Sequence, residues 1–275
     1  MLKLIEGSYA SFFPKEMDAM FRNRAEIFSG RLGWDVVVRN GYERDQFDDA
    51  NPLYLVSVDP ETEDYWGSLR LLPTTGPNML RDVFPYLLED GECIESATIW
   101  EVSRICAKDV EGQPERSRSG VNYVLNELIL GIGEVALLAG LTQVVCVFDA
   151  RMFRVVKAAG CNPQIIGRPQ RIGNTMSYAG LFDTGEGPLR EFRAATGSVR
   201  FLRPTPKSWR SHDPFRLVPP NRPEANHFKM FHGRNVTERH GRKRGGSKRR
   251  LRRLRRSRST LHIYVACQPA PASAT

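Results

Sequence analysis

Glu101, Ser103 and Arg104 stand inside Thr98-Ile99-Trp100-Glu101-Val102-Ser103-Arg104-Ile105-Cys106-Ala107, a stretch otherwise rich in β-branched and aromatic residues. A strand interior has no structural need for a carboxylate and a guanidinium so close together, and burying either unpaired is costly. Arg70 repeats the pattern inside Gly67-Ser68-Leu69-Arg70-Leu71-Leu72. Two strands with internal arginines need acids, and Asp45, Asp48 and Glu101 are available. Arg24 adds a third cation, and Phe28 and Trp34 add two aromatics. Such a set has a chemistry. A carboxylate can take a proton as general base, guanidinium groups can hold a substrate carboxylate through paired hydrogen bonds, and aromatic rings can exclude water. A purely structural ion-pair network fits the same residues. Strand side chains alternate, so Glu101 and Ser103 share a face and Arg104 points away. If Glu101 and Arg104 serve one site, a bulge near Val102 or Ser103 is required.

A second constellation is Arg116-Ser117-Arg118-Ser119-Gly120, ahead of an apolar helix. A helix N-terminus with free N–H groups beside Ser and Gly suits an anion. Ser119 is equally an ordinary N-cap.

The elements that would carry these residues follow in chain order. Leu2–Glu6 reads as a strand. Pro14 suits a helix start, with a helix from Lys15 to about Ser29 ended by Gly30. Val36–Val38 is a strand candidate. Tyr54–Val58 and Tyr65–Leu72 flank a polar turn and read as a hairpin. Leu80–Leu88 reads as a short helix broken at Pro85, followed by the Thr98 strand. Val121 to about Ala139 is a helix closed by Gly140. Gln143–Phe148 is a strand and Ala150–Ala159 a helix stopped by Gly160. Ile165–Ile166 and Met176–Phe182 are strands, and Pro188–Ala195 is a last helix. The pattern is α/β, a single mixed sheet with helices on both faces.

Composition bounds the rest. The net charge of +9 is carried by one segment. Residues Arg234 to Arg258 hold thirteen Lys or Arg and one acid, Glu238; without them 27 basic face 30 acidic residues, a net of −3. From about residue 205 the chain is Pro-rich, then Arg-rich, then Pro, Ala and Ser. This predicts a domain over 1–204 and a disordered basic C-terminal tail over 205–275. Cations without interleaved aromatics suit nonspecific polyanion binding; the tail also fits a frameshifted reading frame. The five cysteines show no CxxC pair and no zinc spacing, and all five histidines follow residue 211. No metal site is expected in the body, and a reduced cytosol suits the thiols. Met1–Gly7 is too short for a signal peptide, and Val121–Phe148 is interrupted by Asn122, Asn126, Glu127 and Glu134. A cytoplasmic protein without a membrane partner is expected.

Four ordered motifs carry a resemblance. They are Arg24-x3-Phe28-x5-Trp34, Tyr42-Glu43-Arg44-Asp45-x2-Asp48, Gly67-x2-Arg70-Leu-x-Pro73-Thr74-Thr75-Gly76-Pro77, and Trp100-Glu101-x-Ser103-Arg104. Together they resemble the acyl-homoserine lactone synthases, the autoinducer synthases of bacterial quorum sensing, over roughly residues 1 to 200. The resemblance implies a fold similar to Gcn5-type N-acetyltransferases and two substrates. One is S-adenosylmethionine, a substrate and not a cofactor; the other is an acyl thioester on acyl carrier protein or coenzyme A. No cofactor is implied. It makes Glu101 the candidate base, with Ser103 and Arg104 beside it. Arg24, Phe28, Trp34, Asp45, Asp48 and Arg70 become the S-adenosylmethionine set. Arg24 and Arg104 would clamp the methionine carboxylate. Asp45 and Asp48 would bind the amine or sulfonium, or anchor Arg70. Phe28 and Trp34 would cover the adenosyl group. Arg116, Arg118, Ser119 and Gly120 would take the phosphopantetheine phosphate, with Arg116, Arg118, Arg154 and Lys157 as a docking patch. Phe148 and Met152 would shape the acyl pocket. Members favouring 3-oxo acyl groups carry a Thr just after the strand matching Gln143–Phe148. Val147-Phe148-Asp149-Ala150-Arg151 offers no hydroxyl, so a product without a 3-oxo group is expected. Two other functions fit less of the chain: a Gcn5-type acetyltransferase acting on another amine, and nucleic-acid binding through the tail.

Overall fold

The computed structural model describes residues 1–89, 92–110, 121–172 and 175–197. The expected tail, and the set Arg116, Arg118, Ser119 and Gly120, lie outside the described residues.

The chain opens with strand β1 (Leu2–Glu6), a 3-10 turn, and helix α1 (Pro14–Arg24), which has proline in its first turn. The helical path does not run on as an α-helix to Ser29. At Ala25 it widens into a π-helix that ends at Arg31. A two-strand ribbon follows, β2 (Val38–Arg39) and β3 (Tyr42–Glu43), so only Val38 of the expected Val36–Val38 strand is paired. Strands β4 (Leu53–Val58) and β5 (Tyr65–Pro73) form the expected hairpin. The short helix α2 (Met79–Asp82) precedes a 3-10 turn begun by Pro85, and strand β6 spans Ile99–Ala107. Helix α3 (Tyr123–Ala139) starts two residues later than expected, and its N-cap is Asn122, whose side chain accepts from the Leu125 N–H at 3.0 Å. The N-cap assignment to Ser119 is thereby corrected: Asn122 fills that role at the first turn. Strand β7 (Gln143–Asp149), helix α4 (Ala150–Ala158), strands β8 (Gln164–Ile172) and β9 (Thr175–Asp183), and helix α5 (Glu186–Thr196) complete the body.

Seven strands form one mixed sheet in the order β1-β4-β5-β6-β7-β9-β8. All neighbouring pairs are antiparallel except β6 with β7. Period-two alternation divides the core between the faces. Tyr54, Val56, Val58 and Tyr65 pack with Met17 and Met20 of α1 on one face. Farther along that face, Val145 and Ala179 meet Leu80, Leu87 and Leu88. On the other face Val121, Leu125 and Leu130 of α3 meet Ala159, Leu189 and Phe192, with Ile105 of β6 beside them. Among the described residues no helix is long and apolar enough to cross a membrane.

Two features position the site. Parallel pairing of β6 with β7 runs only from Ile99↔Gln143 to Val102↔Cys146. Beyond that point β6 continues to Ala107 and β7 to Asp149 without pairing to each other, so the strands part in a V. The second feature is a bulge on β6. Arg70 faces Ser103 and Ser68 faces Cys106, so Leu69 alone opposes Arg104 and Ile105. The expected bulge exists, one step beyond the Val102–Ser103 position. Arg104 sits in it at φ 54, a left-handed conformation that glycine usually takes. Ser103 and Arg104 therefore reach the same face while Ile105 turns to α3.

Helix α3 lies tight against the sheet at Gly131, where an added Cβ would fall 2.5 Å from Leu55 Cδ2 and 2.7 Å from Leu2 Cδ1. Gly131→Val should cost about 1–3 kcal/mol through overpacking. Urea unfolding should show a lower midpoint with an unchanged slope.

Candidate active site

The α1 face of the sheet carries a buried network of three arginines and three carboxylates. Arg24, at 0 % exposure, donates from Nη1 and Nη2 to the two Asp48 oxygens at 2.9 and 3.0 Å, and from Nε to Glu43. Arg70 donates from Nη1 to Asp48 Oδ1 at 3.0 Å, from Nη2 to Asp45 Oδ2 at 3.1 Å, and from Nε to Ser103 Oγ at 3.2 Å. Arg104 donates from Nε to Glu43 Oε1 at 3.1 Å and from Nη2 to Asp45 Oδ2 at 2.8 Å. Tyr54 donates its hydroxyl to Asp48 Oδ1 at 2.8 Å.

Local sequence builds the acidic half. Asp45 caps the 3-10 turn Gln46–Asp49 by accepting from the Phe47 N–H at 3.0 Å, and Asp48 accepts from the Asp45 N–H at 2.9 Å. This reciprocal box presents both carboxylates to one side. Strands β5 and β6 supply Arg70 and Arg104, and α1 supplies Arg24. Burial pushes the Asp48 carboxyl up, but Arg24, its hydrogen bonds and Arg70 outweigh that and hold it well below the usual carboxylate range. Burial acts against the Arg24 charge, and Asp48 and Glu43 more than offset it.

Glu101 stands apart. Its oxygens accept from the backbone N–H groups of Met79 at 3.1 Å and Leu80 at 2.7 Å. Burial raises its pKa above the ordinary 4.5, opposed by those two N–H groups and by the charges of Arg70 and Arg104. The acid expected to balance the strand arginines is thus Glu43, not Glu101. Met79 links the two groups, because Arg104 Nη1 lies 3.5 Å from its sulfur. The Arg104 guanidinium also lies 5.1 Å from the Phe28 ring centroid, and Trp34 stacks on Phe28 at 5.2 Å and 23°. Trp34 is 42 % exposed and forms the outer edge.

Eight of the expected residues therefore come together: Arg24, Phe28, Trp34, Asp45, Asp48, Arg70, Ser103 and Arg104. Glu101 joins them through the Met79 segment. Asp45 and Asp48 anchor the arginines here. Phe148 and Met152 lie on the opposite face. Met152 packs with the α3–α5 cluster, and Phe148 stacks on Phe153 of α4 at 5.8 Å. Arg154 and Lys157 are exposed on α4. Cys106 is buried and its thiol is pushed up to about 12, as is that of Cys146, both chiefly by burial. Glu43 is the residue sequence reasoning passed over. One signal pointed to it: Glu43 stands two residues before Asp45 in an extended segment, where alternation puts both on one side.

The family model described as autoinducer synthase matches residues 10–191. An acyl-homoserine-lactone synthase of Rhizobium etli is 37% identical over 196 residues, 70% of this chain and 89% of the relative. One from Agrobacterium fabrum is 38% identical over 172 residues, 62% of this chain and 79% of that protein. The solved coenzyme-A-dependent acyl-homoserine lactone synthase BjaI, with SAM and isopentyl-CoA, is similar at TM-score 0.62 and 25% identity. That likeness covers 72% of this chain and 89% of the other. Fold, site and likeness define an acyltransferase. The chain belongs to the autoinducer synthase family, the acyl-homoserine-lactone synthases that make quorum-sensing signals.

Asp48→Asn should lower stability at neutral pH by about 3–5 kcal/mol, because Arg24 and Arg70 lose a buried charge partner. The folded pKa of Asp48 lies below its ordinary 3.8, so its contribution is full above that value and is lost as pH falls through the folded one. Unfolding curves of wild type and variant, well separated at pH 7, should begin to approach each other below the ordinary value of 3.8 and meet only once the pH is below the folded pKa. A gap of unchanged size from pH 7 down through the folded pKa would assign the effect to shape instead of charge.

Proposed function

We propose that the chain acylates the α-amine of S-adenosylmethionine from an acyl thioester and then closes the lactone. The observation that carries this reading is one juxtaposition. Arg104, the Phe28–Trp34 stack and Glu101 lie on one face, beside the point where β6 and β7 part. The V offers unpaired inner edges of both strands to the amide groups of a pantetheine-like arm. BjaI, solved with SAM and isopentyl-CoA, supports the same pair of substrate classes. Exposed Arg154 and Lys157 on α4 suit a donor carrying phosphate or acidic groups.

In the first step Glu101 takes a proton from the amine, directly or through a water. Each of its oxygens accepts one backbone N–H and keeps lone-pair capacity for another donor. The amine nitrogen bonds to the thioester carbon, the C–S bond breaks, and the thiol leaves with a proton. In the second step the methionine carboxylate attacks its own γ-carbon. The C–S bond to the sulfonium breaks and methylthioadenosine leaves. That step requires mainly positioning. Arg104, at the rim of the network, is the clamp for the carboxylate. Arg24 is committed to Asp48 and Glu43 and supports the clamp from behind. The product carries no 3-oxo group, because Cys146 occupies the apex of the V and no hydroxyl follows it up to Arg151.

Methylthioadenosine release, with mass spectrometry of the lactone, tests the reading using acyl-coenzyme A and acyl carrier protein donors in turn. Neither product from any donor would overturn it. Glu101→Gln should cut turnover by about 100-fold or more while circular dichroism shows a folded chain. The wild-type pH profile should show an acid limb above the ordinary carboxylate value of 4.5 that the variant lacks. Near-normal turnover by Glu101→Gln would remove Glu101 from the base role. Trp34→Ala should weaken S-adenosylmethionine binding more than donor binding; equal losses would assign Trp34 to packing.

A further inference from the structure

Gly180 lies on β9 opposite Cys146 of β7, the residue at which β6 and β7 part. Glycine weakens a strand interior, so its presence there marks a close approach. A Cβ on Gly180 would sit 3.0 Å from Cε1 and Cζ of Phe148 and 3.1 Å from Cβ of Pro163. The Phe148 ring thus rests on the space a side chain would fill. Three other rings lie beside it: Phe153 at 5.8 Å, Tyr178 at 6.1 Å and Phe182 at 5.8 Å between centroids. The strand order β6-β7-β9 puts the V on the far side of β7 from Gly180. With Phe153, Tyr178 and Phe182 in place, a ring pushed off Gly180 has the V as its way out. The opposite wall there is apolar, from Ile105 and Ala107 of β6 with Met152 of α4.

We propose that Gly180 is a specificity-determining residue: by seating Phe148 over β9, it keeps the V open and sets the length of acyl chain admitted. The proposal rests on the acyl-transfer reading above. Gly180 touches no substrate; it acts through the Phe148 ring. A whole methylene in an apolar pocket changes discrimination by about tenfold or more, and the smaller displacement that a Cβ at 3.0 Å forces on the Phe148 ring takes a fraction of that.

The test is kcat/KM for a series of straight-chain acyl donors, short to long, with the full chain. Gly180→Ala should lower the long-to-short ratio by about a few-fold, with the KM for S-adenosylmethionine unchanged. Adding Phe148→Leu to Gly180→Ala should restore long-chain use. That rescue is a readout a structural defect would not give. If Gly180→Ala does not fold, Phe148→Trp in the wild-type background should shorten the range, because the larger ring overfills the space over Gly180 and has the same way out. Equal loss at every chain length, an unchanged profile, or no rescue would each overturn the proposal. A wild type inert toward coenzyme A and carrier-protein donors alike would overturn the acyl-transfer reading, and this proposal with it.

Discussion

The carboxylate of Asp48 is the point on which the site is hung. It accepts from both nitrogens of the Arg24 fork, from Arg70, from the Tyr54 hydroxyl and from the Asp45 N–H. Four segments meet there: α1, the 46–49 turn, β4 and β5. Taking so many charges out of water is affordable only because they balance. Arg24, Arg70 and Arg104 face Glu43, Asp45 and Asp48, and nearly every strong donor has an acceptor. Neutrality has a chemical consequence. Glu101 is not needed to balance the arginines, so it forms no ion pair with them. Burial can then raise its pKa, whereas membership of the network would have pulled it down as it does Asp48. The network and the proposed base are kept apart, and of Asp48 and Glu101 the carboxylate with the higher proton affinity is the one beside the V.

The bulge at Arg104 is the second constraint. A non-glycine residue in the left-handed region costs on the order of 1–3 kcal/mol and persists only where its surroundings over-determine it. Glu43, Asp45, Met79 and Phe28 do so here, from the ribbon, the turn, α2 and the π-helix. Without the bulge, alternation would send Arg104 into the apolar α3 face. The π-helix is a related device. It places Phe28 beside Arg104 and lets the Trp34 N–H donate to the Phe28 carbonyl at 2.8 Å, closing the aromatic edge.

Most of the sheet was legible because its strands alternate or run apolar between clear turns. Tyr54–Val58, Tyr65–Leu72 and Gln143–Phe148 needed little else. The geometry of Glu101, Ser103 and Arg104 was legible as a demand: a strand with three polar residues on its way to one site must break its period. Where it breaks was not, because the register of β6 is set by its partner β5, through the pairings of Ser68 and Arg70. The separation of Glu101 from the arginines was hidden for a similar reason. Its partners are the N–H groups of Met79 and Leu80, which any sequence would supply. The π-helix escaped because its i→i−5 bonds leave no compositional trace. Phe148 and Met152 were identified as wall residues, but a sequence does not say on which face of a sheet a wall stands.

That face matters for the reaction proposed. The arginine network and the aromatic stack lie with α1 and α2; Phe148, Met152 and the exposed Arg154 and Lys157 lie with α3, α4 and α5 or on their surface. A continuous sheet would separate an amine held on one side from a thioester approaching on the other. The sheet is continuous up to Val102↔Cys146 and open beyond it. In the proposed reaction the two groups would meet through the V, next to Glu101 on one strand and Cys146 on the other. Parallel pairing is what permits the opening. An antiparallel neighbour joined by a tight turn would be held at one end of the gap, whereas β6 and β7 are connected by α3 and its leading segment and are free to diverge. Under the proposed reaction, the one parallel pair among the described strands would be the passage between two half-sites, and the side chains that flank it would decide what passes.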